Sequence, residues 1–290
     1  MPLSELQAVL ARILTDEPVR QRFLEAGRDG PMPPELSGYG LSLPEWRQLG
    51  AICAERLNLY AHLLRDKRIA KLPDVLPWTW FLLGESLKWL VPLYCRDHLP
   101  ATIRKFGEAQ TFCRFLVEHA SLIEPACAPD VARYEIMIAW FAQRRSVPAR
   151  QGTTPFSVLE GTAWRELPAV SCTQTENAAL VEFDHDLERI LPFVQKSERP
   201  PESFPGKAVV LFRAGPEGCP PRTYAMQDSA AGLLRLCDGR RSLRDIVEES
   251  VSRHDASEGG DREILEEACV SILKRFLNEG IVELCDTAVE

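Results

Sequence analysis

The sequence predicts an α+β chain, with helices first and strands later. Three observations carry that reading. Apolar residues keep helical spacing through the first half, and a texture rich in Thr, Ser and β-branched residues begins after Pro148. From about Lys207, short strands then give way to three capped helices and a closing strand. A length of 290 residues allows two domains, each with its own core. The expected division is a helical bundle over 1–146, a β-containing connecting arm over 147–206 and a small mixed domain over 207–290.

The helical half opens with Leu3, Leu6, Leu10, Ile13 and Leu14 at helical spacing, and Thr15–Pro18 reads as a break followed by a fresh start. Glycines and prolines between Gly27 and Ser42 mark a loop, after which Ser42 and Glu45 have the form of a capping box with Pro44 in the first turn. Trp46, Leu49, Cys53, Leu57, Tyr60 and Leu64 then form one stripe on a single expected helix. Proline-punctuated sequence from Leu72 to Cys95 suggests two helices. Ile103, Phe106, Cys113, Val117 and Ala120 form another stripe. Pro129 opens a last helix with Val131, Tyr134, Ile138 and Phe141 on one face, and Arg144 and Arg145 suit its C-terminal dipole. Six or seven helices ending near Ser146 are expected.

In the arm, Phe156–Leu159 and Ala179–Phe183 read as strands, and Ser197–Gly206 as a loop. Ala208–Arg213 reads as a buried strand, with Arg222–Gln227 as its hairpin partner across Gly215 and Gly218. Asp228 is expected to cap a helix that stops at Asp238-Gly239. Ser242 and Asp245 open the next helix, with Leu243, Ile246, Val247 and Val251 inward. Asp261 is expected to cap a third helix bearing Ile264, Leu265, Ala268, Ile272, Leu273 and Phe276, ended by Gly280 before the strand Ile281–Leu284. Strands, three helices and a closing strand outline a winged helix-turn-helix.

Composition narrows the function. A net charge of −8 disfavours nonspecific binding to nucleic acid or anionic membrane. The start, with Glu5 early, does not resemble a secretory signal, and Pro73, Pro77, Gly84, Glu85, Lys88 and Pro92 interrupt the most apolar stretch. Nine cysteines without a C-x-x-C pair point to reduced thiols in the cytoplasm and away from a zinc or iron–sulfur site. Between Arg222 and Leu284, nine basic residues face thirteen acidic ones, and the third helix opens with Asp261, Glu263, Glu266 and Glu267 where a DNA reader would meet phosphates.

A winged helix without a basic face can instead add an extended peptide as a strand on its open edge. Here that edge is Arg222–Gln227, with Tyr224 or Met226 flooring a groove beside Leu265, Ala268 and Ile272. Leu265 and Ile272 serve equally well as core. A proline at Met226 is expected to remove an edge donor. Arg65, Lys67, Arg68 and Lys71 form a local basic run that suits either a solvated helix end or an acidic partner. Asp184-His185-Asp186 reads as a polar turn capping Leu187–Leu191, or as the ligand set of a stand-alone metal enzyme. No nucleophile–base arrangement or phosphate loop is legible.

Two stretches resemble known families. E-R-L-N-L-Y (55–60), L-P-W-T-W-F-L-L-G (76–84), L-Y-C-R-D-H-L-P (93–100), F-C-R-F-L (112–116) and P-D-V-A-R-Y-E (129–135), in that order, resemble the helical domain of partner proteins of multinuclear iron-dependent oxidative (MNIO) enzymes. The stretch A-A-G-L-L-R-L-C-D-G-R-R-S-L-R-D-I-V (230–247) resembles a PqqD-like peptide-recognition domain of the same pathways. The resemblance implies a non-catalytic accessory subunit without a cofactor of its own. Its partners would be an MNIO iron enzyme, met through Arg65 and Arg68, and a ribosomally made carrier peptide, bound through the Arg222–Ile272 set. The pairing of domains is similar to the accessory subunits of 3-thiaglutamate biosynthesis. There the iron enzyme excises the β-carbon of a carrier's C-terminal cysteine. A winged-helix regulator that binds DNA is the alternative.

Overall fold

The computed structural model describes residues 3–100, 104–144, 170–216, 219–258 and 262–285. The chain divides into two units, Met1–Ile136 with Phe193–Glu202 and Met137–Pro192 with Ser203–Glu290, so the division falls within two helices. Its architecture is α+β, with a helical N-terminal part and two small antiparallel sheets.

The described residues up to 144 hold α1 (Leu3–Thr15), α2 (Glu17–Ala26), α3 (Leu43–Gly50), α4 (Ala54–Ile69), α5 (Pro77–Leu83), α6 (Leu87–Asp97), α7 (Lys105–Glu118) and α8 (Ala128–Gln143). That is eight helices where the spacing predicted six or seven. Asp16 separates α1 from α2, accepting from Val19 N at 3.2 Å. Glu45 closes the expected box at the start of α3, accepting from Ser42 N at 2.9 Å. The expected single helix over Trp46–Leu64 is two. At Gly50 the backbone of Arg28 comes so close that an added Cβ would lie 2.7 Å from Arg28 Cα. Past this crossing the chain turns through extended Cys53, whose carbonyl accepts from Leu57 N at 3.0 Å to start α4.

The expected stripes are corrected accordingly. On α4, Leu57, Ala61 and Arg68 are buried, whereas Tyr60 is 59% and Leu64 44% exposed. Tyr60 lies to one side of the buried row, and Leu64 shares its face but opens on a cavity. On α7 the buried residues include Ala109, Phe112, Cys113 and Leu116, while Val117 and Ala120 are exposed. Tyr94 fixes that rotation, with ring centroids 5.0 Å from Phe112 and 5.3 Å from Phe115. Ile103 lies outside the described residues. Near the N-terminus Val9, Ile13, Phe23, Trp46 and Leu57 share one core, with Phe23 edge-on to Trp46 at 5.2 Å.

The rest of the chain gives β1 (Ser171–Gln174), β2 (Ala178–His185), α9 (Leu187–Gln195), β3 (Pro205–Arg213), β4 (Arg222–Met226), α10 (Asp228–Leu236), β5 (Asp238–Ser242), α11 (Leu243–Glu258), α12 (Arg262–Asn278) and β6 (Val282–Cys285). One sheet runs β2–β3–β4 and the other β5–β1–β6, each antiparallel throughout. The expected strand over 179–183 lies within β2. Phe156–Leu159, Arg145, Gly218 and Asp261 fall outside the described residues. Two strands appear that the spacing did not predict: β1, and β5 at the supposed helix stop. Asp228 is not the cap of α10 but sits in its first turn, where its charge meets the helix dipole, and Gln227 holds the cap position.

The box opening α11 is reciprocal. Asp245 N donates to Ser242 Oγ at 3.2 Å, while Ser242 Oγ at 2.7 Å and Ser242 N at 3.1 Å donate to Asp245 Oδ2 and hold its carboxyl below the ordinary value. Leu243, Ile246, Val247 and Val251 are inward as expected. On α12, Val270, Leu273 and Phe276 are buried, whereas Ile264 is 65% exposed. Gly280 ends α12 at φ 62°, with Ile281 N donating back to Phe276 O. Among the described residues, no helix is long and apolar enough to cross a membrane.

Candidate functional site

Strand β3 is apolar because it is central. Val209, Val210, Leu211 and Phe212 are all buried, with a strand on either side. Strand β4 is different. Its outer side has no paired strand among the described residues, and Arg222 and Ala225 are exposed while Thr223, Tyr224 and Met226 are half-buried.

The register identifies which main-chain groups point outward. Ala214 N donates to Asn177 O at 2.8 Å, one residue beyond the ladder that pairs Ala178 with Arg213. Alternation along β3 therefore turns Phe212 and Val210 toward β2, and Arg213, Leu211 and Val209 toward β4. Their partners on β4 are Arg222, Tyr224 and Met226, whose main-chain groups are taken up by β3. By the same alternation the N–H and C=O groups of Thr223 and Ala225 point away from β3. The expectation that Met226 supplies an edge donor is thus corrected: its N–H faces inward.

Four of the residues expected around this edge share one core. Tyr224, Met226, Leu265 and Ile272 are all half-buried and pack against the same core of β-strand and α10–α12 side chains. Ala268 is exposed on α12, and Arg222 is exposed at the hairpin end opposite Arg213. Glu266 faces inward beside Arg262, 2.9 Å away, and so does not present its charge at the surface.

The two expected partner-binding arginines separate. Arg65 is partly exposed, with Asp66 3.8 Å away. Arg68 is interior, which corrects its placement on a partner-facing surface. Its Nε donates to Glu108 Oε1 at 2.5 Å, its Nη1 to His98 O at 2.6 Å, and its guanidinium lies 4.6 Å from the Tyr94 ring centroid. Burial and a hydrogen bond to Glu108 push the Tyr94 hydroxyl above its ordinary value. What α4 does present outward is apolar: Leu59 at 57%, Tyr60 at 59% and Leu63 at 45% exposure, with Arg56 and Lys67 on the same side. Helical spacing places these residues together, and only the phase of the buried row was needed to find them.

Asp186 resolves the acidic cluster. Its Oδ1 accepts from Arg189 N at 3.3 Å and caps α9, as the turn reading expects. Among the described residues, no group of three or more His, Cys, Asp or Glu side chains is placed to hold a metal ion. No protein-family model matches the chain, and no curated protein matches it either.

Proposed function

We propose that this chain is a non-catalytic accessory subunit that holds a peptide for a neighbouring enzyme. Its closing domain, read as a PqqD-like winged helix-turn-helix, takes the leader of a ribosomally made carrier peptide as an added strand on β4. Its helical part docks on an MNIO-family enzyme through the outer face of α4, and the iron belongs to that partner. The tethered carrier then brings its C-terminal cysteine to the iron for β-carbon excision, as in 3-thiaglutamate-type biosynthesis. Tethering raises the local concentration of the reacting residue and removes much of the positional entropy cost.

The observation that carries this reading is the border of β4. Main-chain groups of Ala225 point away from β3, and half-buried Tyr224, Met226, Leu265 and Ile272 pack against one core, a combination that suits strand addition. The pattern of ion pairs supports a peptide over DNA. Arg235, Arg241, Arg253, Arg262 and Arg275 each hold a carboxylate of their own unit, which leaves little charge for phosphates.

Coexpression with an MNIO enzyme and a carrier peptide tests the reading. The expected result is co-purification with the enzyme and modification of the peptide only when this chain is present. Salt-sensitive binding to duplex DNA, with no effect on the enzyme, would transfer the chain to the regulator class.

A further inference from the structure

The basic run on α4 borders a cavity of about 450 Å³ within the helical unit, between α4, the junction of α1 and α2, and α6. Six cationic side chains line it: Arg20, Arg65, Lys67, Arg68, Lys71 and Arg96. Glu17 is the one carboxylate in the lining, and Leu14, Leu64 and Pro92 supply apolar wall.

Two of these cations are interior, and the surroundings of Arg20 disfavour its charge. Arg20 is only 9% exposed, and it donates to neutral acceptors, Asn58 Oδ1 at 3.1 Å and Leu14 O at 3.2 Å. Burial lowers its pKa, and the nearby Arg65 charge lowers it further, against Glu17 and Asp16. Arg68 has Glu108, yet its Nη2 is buried without a hydrogen-bond partner. A guanidinium nitrogen buried without an acceptor, in a cavity that gathers six cations around one carboxylate, is a position that an anionic oxygen would complete. Arg96 has a partner of its own, since Asp97 accepts from it at 2.7 Å.

We infer that this cavity binds a compact polyanion, a small molecule bearing two or more carboxylate or phosphate groups. Guanidinium forks from Arg20 and Arg65 match the paired oxygens of either group. The volume is that of a small-molecule site, and the apolar wall would cover the body of the ligand. This site is independent of β4 and of any peptide bound there.

Isothermal titration of the full chain with pyrophosphate and with citrate tests the inference, with acetate at matched ionic strength as the control. Saturable binding of at least one polyanion is expected, with acetate silent, and the stronger probe tells phosphate from carboxylate chemistry. Arg65→Glu should weaken that binding by tenfold or more, and Lys67→Glu by a smaller factor. Because both side chains are surface-reaching, neither variant should shift the melting temperature appreciably. Arg20→Lys keeps a charge but loses the fork, and should also weaken binding. The inference is overturned if neither polyanion saturates, if Arg65→Glu binds as the native chain does, or if hexaglutamate binds where both small anions fail.

Discussion

Arg68 on α4 and Glu108 on α7 meet at 2.5 Å inside the helical unit, 40 positions apart in sequence, with Glu108 2% exposed. The Tyr94 hydroxyl donates to the same carboxylate oxygen, so one acid ties three helices together. Removing a single partner would strand a buried guanidinium, which typically costs about 3–5 kcal/mol. Glu108→Ala should therefore lower the unfolding free energy in urea by about that amount. Glu85→Ala, which breaks an ion pair open to solvent on both sides, should change it by less than about 0.5 kcal/mol. Equal effects would show that the buried pair contributes no more than a surface one.

Glu135 on α8 reaches the start of α5, 56 positions away along the chain, accepting from Trp78 N at 2.7 Å, Thr79 N at 2.9 Å and Thr79 Oγ1 at 2.6 Å. Burial nonetheless dominates these bonds and pushes the carboxyl up to about 7. Between its unfolded value and about 7, the folded state holds more protons than the unfolded one, so stability falls as pH rises and levels off above that window. Over that span the loss from this group is on the order of 3 kcal/mol. Denaturation midpoints across the window should decline for the native chain and stay flatter for Glu135→Gln. A variant as steep as the native chain would assign the slope to other groups.

The border of β4 can be tested through the backbone alone. Ala225→Pro removes an outward N–H that no strand among the described residues uses, and proline is tolerated on edge strands. It should weaken leader-peptide binding about tenfold by fluorescence anisotropy, the scale of one lost hydrogen bond plus a local clash. Co-elution with the iron enzyme should persist. Met226→Pro removes a donor used by β3 and should lower the melting temperature instead. If the leader binds Ala225→Pro as tightly as the native chain, it does not lie along this strand.

Sequence made the local devices legible and missed those that depend on distant chain. The caps at Ser42–Glu45 and Ser242–Asp245 involve residues three apart, and both form. The unbroken apolar run of β3 identified a central strand without further information. By contrast, β1 owes its existence to β6, where Ser171 pairs with Cys285 more than a hundred positions on. Polar β5 carries no apolar alternation and is a strand because β1 lies beside it. The break between α3 and α4 follows from the approach of Arg28 to Gly50, and the interior place of Arg68 from Glu108. Around β4 the residue types were readable, but which of them offers its main chain was not, because the register begins at Asn177 and Ala214.

The outer face of α4 gives the last prediction. Leu59, Tyr60 and Leu63 are solvent-facing on a helix whose buried side is already filled by Leu57 and Ala61, so stability gives no reason to keep them apolar. Association does, since a partner covering three large side chains removes them from water. Leu63→Glu should leave the melting temperature of the isolated chain within a few degrees and abolish co-elution with the iron enzyme in size-exclusion chromatography. Peptide binding to the isolated chain should be unaffected, because β4 belongs to the other unit. A Leu63→Glu chain that still co-elutes with the enzyme would move the docking surface off α4, whereas one that also loses the peptide would indicate unfolding.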